Sequence, residues 1–179
     1  MPRYVAFLRG IGLGKRRPPM SQLKTLFEEM GFDDVATFIA SGNVVFSTRA
    51  ADRAKLENKI SRHLASALGY DVESFVRSED EVRAIGASEP FAEDVSGATT
   101  VQVCLLREAL PAADAAKLKQ IRAPTDAFAV NGLELYWLCR VKINEATVWK
   151  DERIKAIRFP SFTMRNMTSI RKLIAQRLA

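Results

Sequence analysis

Three short polar motifs stand out among the residues that could do chemistry: Arg9-Gly10, Ser41-Gly42-Asn43 and Arg165-Asn166. Each lies where an apolar run begins or ends. Arginine and asparagine supply N–H donors and glycine lets a partner approach the backbone, so these types suit an anionic or polar ligand better than they suit packing. Gly12 and Lys15 extend the first motif through the loop Gly10-Ile11-Gly12-Leu13-Gly14-Lys15-Arg16-Arg17-Pro18-Pro19. That loop fits neither standard phosphate fingerprint. A Walker A loop needs glycine where Arg9 stands and Ser or Thr where Arg16 stands, and the dinucleotide pattern starting at Gly10 needs glycine where Lys15 stands. The segment reads equally as an exposed loop before a helix or as a ligand-holding loop.

Catalytic groups are harder to find, and no catalytic residue is assigned. Ser41 is the only hydroxyl in the motifs and no histidine accompanies it, so no nucleophile and base stand at recognisable spacing. His63 lies at the edge of a helical apolar stripe and reads as a partly buried helix residue. Cys104 and Cys139 fall inside predicted strands and read as small buried apolar residues. Two cysteines and one histidine cannot build a structural zinc site of the usual kind, and the acids Asp33-Asp34 and Glu79 to Glu81 sit in a turn and at a helix start, so neither metal nor cofactor is expected.

The elements that must position these motifs follow from periodicity. Tyr4 to Leu8 is a strand, and Leu23, Leu26, Phe27 and Met30 recur at helical spacing up to the terminator Gly31. Val35 to Ile39 and Val44 to Ser47 form a hairpin across Ala40-Ser41-Gly42-Asn43. Leu56, Ile60, Leu64 and Leu68 line a second helix that stops at Gly69, and Asp71 to Val76 is the next strand. The order β-α-β-β-α-β is the split βαβ, ferredoxin-like arrangement. Its first two strands run parallel with the third antiparallel between them, which places Arg9-Gly10, the start of the first helix near Ser21 and the Ser41-Gly42-Asn43 turn at one end of the sheet.

Ser78-Glu79-Asp80-Glu81 is a capping-box pattern opening a short helix, followed by an acidic connector up to Ala98. The second half starts with a strand from Thr99 to Leu106 and a helix from Pro111 to Gln120. Asp126 to Val130 then pairs with Leu133 to Leu138 across Asn131-Gly132, a strong hairpin signal. A last helix is expected over about residues 164–178. Thr163 or a neighbour would cap it and Arg165 would fall in its first turn, where a cation opposes the helix dipole. Arg165 and Asn166 then serve a ligand, an ion pair or a tie to a nearby loop. The fold class is α+β: two ferredoxin-like lobes in a duplicated arrangement, antiparallel-rich sheets with helices packed on them. The expected lobes span residues 1–77 and 99–179, joined by residues 78–98.

The chain carries a net charge of +6, and residues 149–179 alone hold 8 basic and 2 acidic residues, so the C-terminal segment is the basic pole. Such a pole attracts phosphate-bearing partners or is a solvated face. No apolar run approaches the roughly 20 residues that span a bilayer, and a cytoplasmic protein with no membrane partner is expected. The first sheet lacks the aromatic signature of an RNA-recognition motif, so nucleic-acid binding, if present, would be electrostatic and sequence-independent.

Tyr4-Val5-Ala6-Phe7-Leu8-Arg9-Gly10-Ile11, Met20 with Leu23 and Gly31-Phe32, Thr37 to Phe46 through Ser41-Gly42-Asn43, and Thr163-Met164-Arg165-Asn166 together resemble the bacterial domain-of-unknown-function family 1697. The resemblance implies two ferredoxin-like lobes and no established activity. The chain departs from the family pattern at Gly12, where asparagine is common, and at Met167, where tryptophan is frequent. The expected function is binding of an anionic or phosphate-bearing ligand, either a nucleotide-like small molecule or nucleic acid, at Arg9, Gly10, Gly12, Lys15, Ser41, Gly42, Asn43, Arg165 and Asn166. A non-metal enzyme with its site in a cleft between lobes, or a protein-interaction module, are the alternatives.

Overall fold

The computed structural model describes every residue except Leu13, residues 39–41 and residues 93–99. Two compact units emerge, one formed by Met1–Ala84 together with Lys172–Ala179 and the other by Ile85–Arg171. Each is an antiparallel sheet with helices on it, an α+β fold with duplicated lobes.

In the first unit, β1 (Arg3–Arg9), α1 (Met20–Glu29), β2 (Asp33–Phe38), β3 (Asn43–Ser47), α2 (Arg53–Leu68) and β4 (Glu73–Ser78) give the sheet order β2-β3-β1-β4. β1 is antiparallel to both β3 and β4, and β3 to β2, so β1 and β2 run parallel, as the crossover helix between them requires. Ala6, Leu8, Val44, Phe46 and Val76 join Leu23, Leu26 and Phe27 of α1 and Leu56, Ile60 and Leu64 of α2 in one core. Phe32 stacks on Phe46 with ring centroids 4.4 Å apart. Alternation puts Val5, Phe7, Val45, Phe75 and Arg77 on the other face, and all five are buried. The continuous apolar run of β1 is thus the signature of a strand covered on both faces.

β4 is an edge strand, and α2 occupies its outward side. The Val76 N–H donates to Glu57 Oε2 at 2.9 Å, the Ser74 N–H to Ser61 Oγ at 3.2 Å, and the Ser74 hydroxyl to the Glu57 carbonyl at 2.8 Å. Helix side chains therefore take up backbone donors that would otherwise template a further strand. α2 itself is capped by Asp52, which accepts from the Lys55 N–H, and ends at Gly69 in the left-handed region with φ 81°.

The capping box expected at Ser78 is fully formed: the Ser78 N–H donates to Glu81 Oε1 at 2.9 Å and the Glu81 N–H to Ser78 Oγ at 3.2 Å, opening α3 (Glu79–Ala87). Arg3 and Arg83 both pair with Glu79 and both donate to the Leu178 carbonyl, so two cations satisfy the end of the C-terminal segment.

The second unit contains β5 (Thr100–Leu106), α4 (Ala112–Lys119), β6 (Arg122–Ala123), β7 (Asp126–Asn131) and β8 (Glu134–Cys139). Two 3-10 turns, Ile143–Glu145 and Val148–Lys150, then lead to α5 (Glu152–Lys155), β9 (Phe162–Asn166) and α6 (Met167–Leu173), whose last two residues, with the π turn Ile174–Leu178 that follows, belong to the first unit. The sheet order β6-β7-β8-β5-β9 repeats that of the first unit with β6 added at one edge. Where the first unit has the long α2, the second has short helical pieces gathered on Trp149. Its ring lies 5.5–6.2 Å from those of Trp137, Phe128, Phe159 and Phe162. Trp137 is buried and its indole N–H donates to Asp126 Oδ1 at 2.7 Å.

Two local expectations are corrected. The β7–β8 turn is Gly132-Leu133, one residue later than expected, because Asn131 pairs with Glu134 and only Gly132, at φ 60°, takes the positive φ that a primed turn demands. More consequentially, residues 162–166 are a strand, and the last helix begins at Met167 instead of 164. Pairing with the free edge of β5, from Gln102↔Asn166 to Leu106↔Phe162, satisfies ladder groups that a helix start would leave open.

Glu79 is held below its ordinary pKa of 4.5 first by its hydrogen bond from Arg3. For Glu81, burial pushes up, but the Ser78 N–H and Arg53 outweigh it, so it is lowered too. Depressed folded-state values mean the stabilisation is complete above the unfolded value and is lost as pH falls through the folded one. Urea melts between about pH 5 and 3 should therefore show wild type losing stability more steeply than a Glu79→Gln, Glu81→Gln variant. Parallel slopes would show that these carboxylates do not govern acid sensitivity.

Candidate functional site

β1 leaves the sheet at Arg9, which is exposed and lies opposite Glu73 in the ladder. Gly10 follows with φ 88°, and a Cβ there would stand 3.0 Å from the Asp71 carbonyl oxygen, so the turn passes too close to neighbouring backbone for a side chain. Ile11 is buried, and the Gly12 N–H donates to the Arg16 carbonyl at 2.6 Å, closing the loop on itself. Lys15, Arg16 and Arg17 are exposed, with the Arg16 guanidinium 4.9 Å over the Tyr70 ring.

The hairpin tip meets this loop. The Leu8 N–H donates to the Gly42 carbonyl at 2.8 Å, and a Cβ on Gly42 would lie 2.6 Å from Ile11 Cγ2 and 3.0 Å from Leu8 Cβ. Asn43 pairs with Phe7 across the ladder, is buried, and donates from Nδ2 to the Phe38 carbonyl at 3.1 Å, tying the two ends of the hairpin together. Arg9, Gly10, Gly12, Lys15, Gly42 and Asn43 are therefore parts of one end of the first sheet. Ser41 lies outside the described residues. The recess lined by Ile11, Pro18, Met20, Leu23, Thr37, Gly42 and Asn43 holds about 10 Å³, room for a single water-sized group. Any larger ligand must lie over it.

α1 starts beside this recess. Its N-cap is Pro19, which offers no side-chain acceptor, and its first turn holds no acidic residue. Among the described residues, no side chain caps the positive end of α1, unlike that of α2 with Asp52.

Arg165 and Asn166 belong to the second unit, and their surroundings differ from the expected helix start. Arg165 lies on β9 opposite Val103, and its Nη1 donates to Thr163 Oγ1 at 2.8 Å and to the Met164 carbonyl at 3.0 Å. Burial pushes its pKa down to about 10, which leaves it a cation at neutral pH. The supposed conflict with the helix dipole disappears. The cap of α6 is Asn166, whose Oδ1 accepts from the Thr168 N–H at 2.7 Å.

Other groups are accounted for. Both cysteines are buried and unpaired by disulfide; burial alone raises Cys104 to about 12, and burial first also raises Cys139, so neither presents a thiolate. His63 Nε2 lies 2.9 Å from Glu29 Oε2. Among the described residues no three His, Cys, Asp or Glu side chains gather as a metal site, and no helix is long and apolar enough to cross a membrane.

One surface escaped the motif-based reading. An open groove of about 750 Å³ is lined by Lys55, Asn58, Lys59, Arg62 and His63 of α2 with Glu29 and Met30. Its signature in the sequence is a row of cations at i, i+4 and i+7 of the second helix, which the net-acidic composition of the surrounding residues 51–98 masks.

The family model described as "Protein of unknown function (DUF1697)" matches residues 1–136. The chain belongs to the DUF1697 family. Arg9-Gly10 and Ser41-Gly42-Asn43 lie within the matched residues and Arg165-Asn166 beyond them. The chain is also similar in fold to a solved structure described as conserved bacterial protein SP0830 from Streptococcus pneumoniae, with a TM-score of 0.75 and 19% identity over 98% of this chain and 99% of that one. No curated protein matches the sequence.

The interlock at Gly42 sets a stability test for this DUF1697 member. Gly42→Ala puts a methyl 2.6 Å from Ile11 Cγ2 at a backbone φ of 91°, and combined strain and overpacking should cost about 2–4 kcal/mol. A urea midpoint within error of wild type would show that loop and hairpin tip are not rigidly joined.

Proposed function

We propose that the protein binds a small anionic, phosphate-bearing ligand, of the nucleotide-like kind, over the β1–α1 loop. The observation that carries this reading is the start of α1: a helix N-terminus with neither a side-chain cap nor a first-turn acid, preceded by the exposed cations Lys15 and Arg17. Arg17 is three residues before Met20, so chain length alone keeps its Cα within about 11 Å of the helix start. Free N–H groups, the helix dipole and flanking cations are together suited to phosphate. Gly10, Gly12, Gly42 and Asn43 shape and anchor the platform, and Arg9 adds charge at the strand end. Arg165 and Asn166 are left out of this site, since one donates to Thr163 and Met164 and the other caps α6. Binding is favoured over turnover because both thiols are buried and His63 is engaged by Glu29.

Titration calorimetry with pyrophosphate and with a nucleoside diphosphate tests the reading through two variants. Ser21→Asp places a carboxylate in the first turn of α1, which should stabilise the fold by about 0.3–1 kcal/mol while weakening anion binding. Lys15→Ala, Arg17→Ala should weaken binding roughly tenfold without unfolding the protein, since two charge-assisted contacts are lost. Undiminished affinity in both variants would remove the site.

A further inference from the structure

The outward face of α2 carries a second, differently shaped cationic surface, distinct from the α1 start. Lys55, Lys59 and Arg62 are exposed and spaced i, i+4, i+7, which aligns them within roughly 60° of one another along about 10.5 Å of helix. They line the open groove with Asn58 between them. The one acid of α2, Glu57, is buried and accepts from the Val76 N–H. Among the described residues, one acid lines the groove: Glu29, whose Oε2 lies 2.9 Å from His63 Nε2. Lys59 Nζ is 5.3 Å over the Phe32 ring, which steadies its ammonium at the groove floor. Three cations thus face a single described acid across the groove.

We propose that this groove binds the phosphodiester backbone of nucleic acid without regard to sequence. The shape favours a polyanion over a small ion: the cations are strung out in a line, and the groove is open, with no enclosed pocket for a single phosphate. One nucleic-acid strand presents a phosphate about every 3.4 Å of helix axis, so a 10.5 Å row spans about three of them. Asn58 adds an amide donor for a phosphate oxygen. Phe32 is buried beneath Lys59, so the groove offers no exposed ring for base stacking, and contacts to the backbone supply no sequence information.

Fluorescence anisotropy decides this with labelled duplexes of about 20 base pairs in two unrelated sequences, titrated at about 50 mM salt and upward. Wild type should bind both sequences equally, with log K falling against log salt at a slope between about −2 and −3 for three phosphate contacts. Lys55→Glu, Lys59→Glu, Arg62→Glu should weaken binding at least about tenfold and flatten the slope. Lys117→Glu, Lys119→Glu, Lys142→Glu changes net charge equally at exposed positions of the other unit and should retain wild-type affinity; circular dichroism confirms that both triples are folded. No binding by wild type, a clear preference for one sequence, or equal loss in the two triples would overturn the proposal. None of these measurements depends on the α1 start, whose own test uses small ligands and other residues.

Discussion

β1 is the constraint from which the first unit follows. Val5, Ala6 and Phe7 are fully buried, both strand edges are paired, and both faces are covered. A strand in that position tolerates no slip in register, since moving it by one residue would exchange every contact on both faces. The pairing Phe7↔Asn43 then fixes where the hairpin tip arrives, and the Leu8 N–H to Gly42 carbonyl bond extends that register past the end of the ladder. The loop after β1 has nowhere to go but over Gly42, and the start of α1 is set beside it.

The same constraint divides α2. Its inward face must fill the core with Leu56, Ile60 and Leu64 and also close the β4 edge with Glu57 and Ser61. A carboxylate turned in toward the β4 edge stands away from the outward face. The outward face therefore keeps Lys55, Lys59 and Arg62 without an acidic partner on the same helix, and a packing decision becomes an electrostatic one.

The second unit repeats the strand order and solves its packing differently. β5 takes the central place of β1, but short helical pieces and the Trp149 aromatic cluster stand where α2 stood, and a buried Asp126 anchors the Trp137 indole. Topology is shared because one antiparallel order with a crossover helix satisfies both sheets. Side-chain chemistry is not shared, so a functional surface on one unit implies nothing about its counterpart. The glycines and asparagine of the first unit also have double duty: Gly10 and Gly42 sit where backbone or side chains leave no room for a Cβ, and Asn43 closes a hairpin. A motif noticed for its donors is in part a record of close approach.

Local periodicity and end signals alone determined the β-α-β-β-α-β order, the capping box at Ser78, the stop at Gly69 and the meeting of Arg9-Gly10 with the hairpin at one sheet end, because each depends on residues near in sequence or on the handedness of a crossover. Tertiary structure decided what local pattern leaves ambiguous. Phe162 to Asn166 carries no strong strand signal and becomes β9 through pairing with β5, 56 to 64 residues earlier in the chain. That pairing converts Arg165 from an apparent helix-start anomaly into a half-buried strand residue. It likewise took the assembled sheet to show that Glu57 turns inward to the β4 edge, leaving the α2 cations exposed. A sequence records which side chains a helix carries, but which of its charges are neutralised depends on the partners that the fold brings to them.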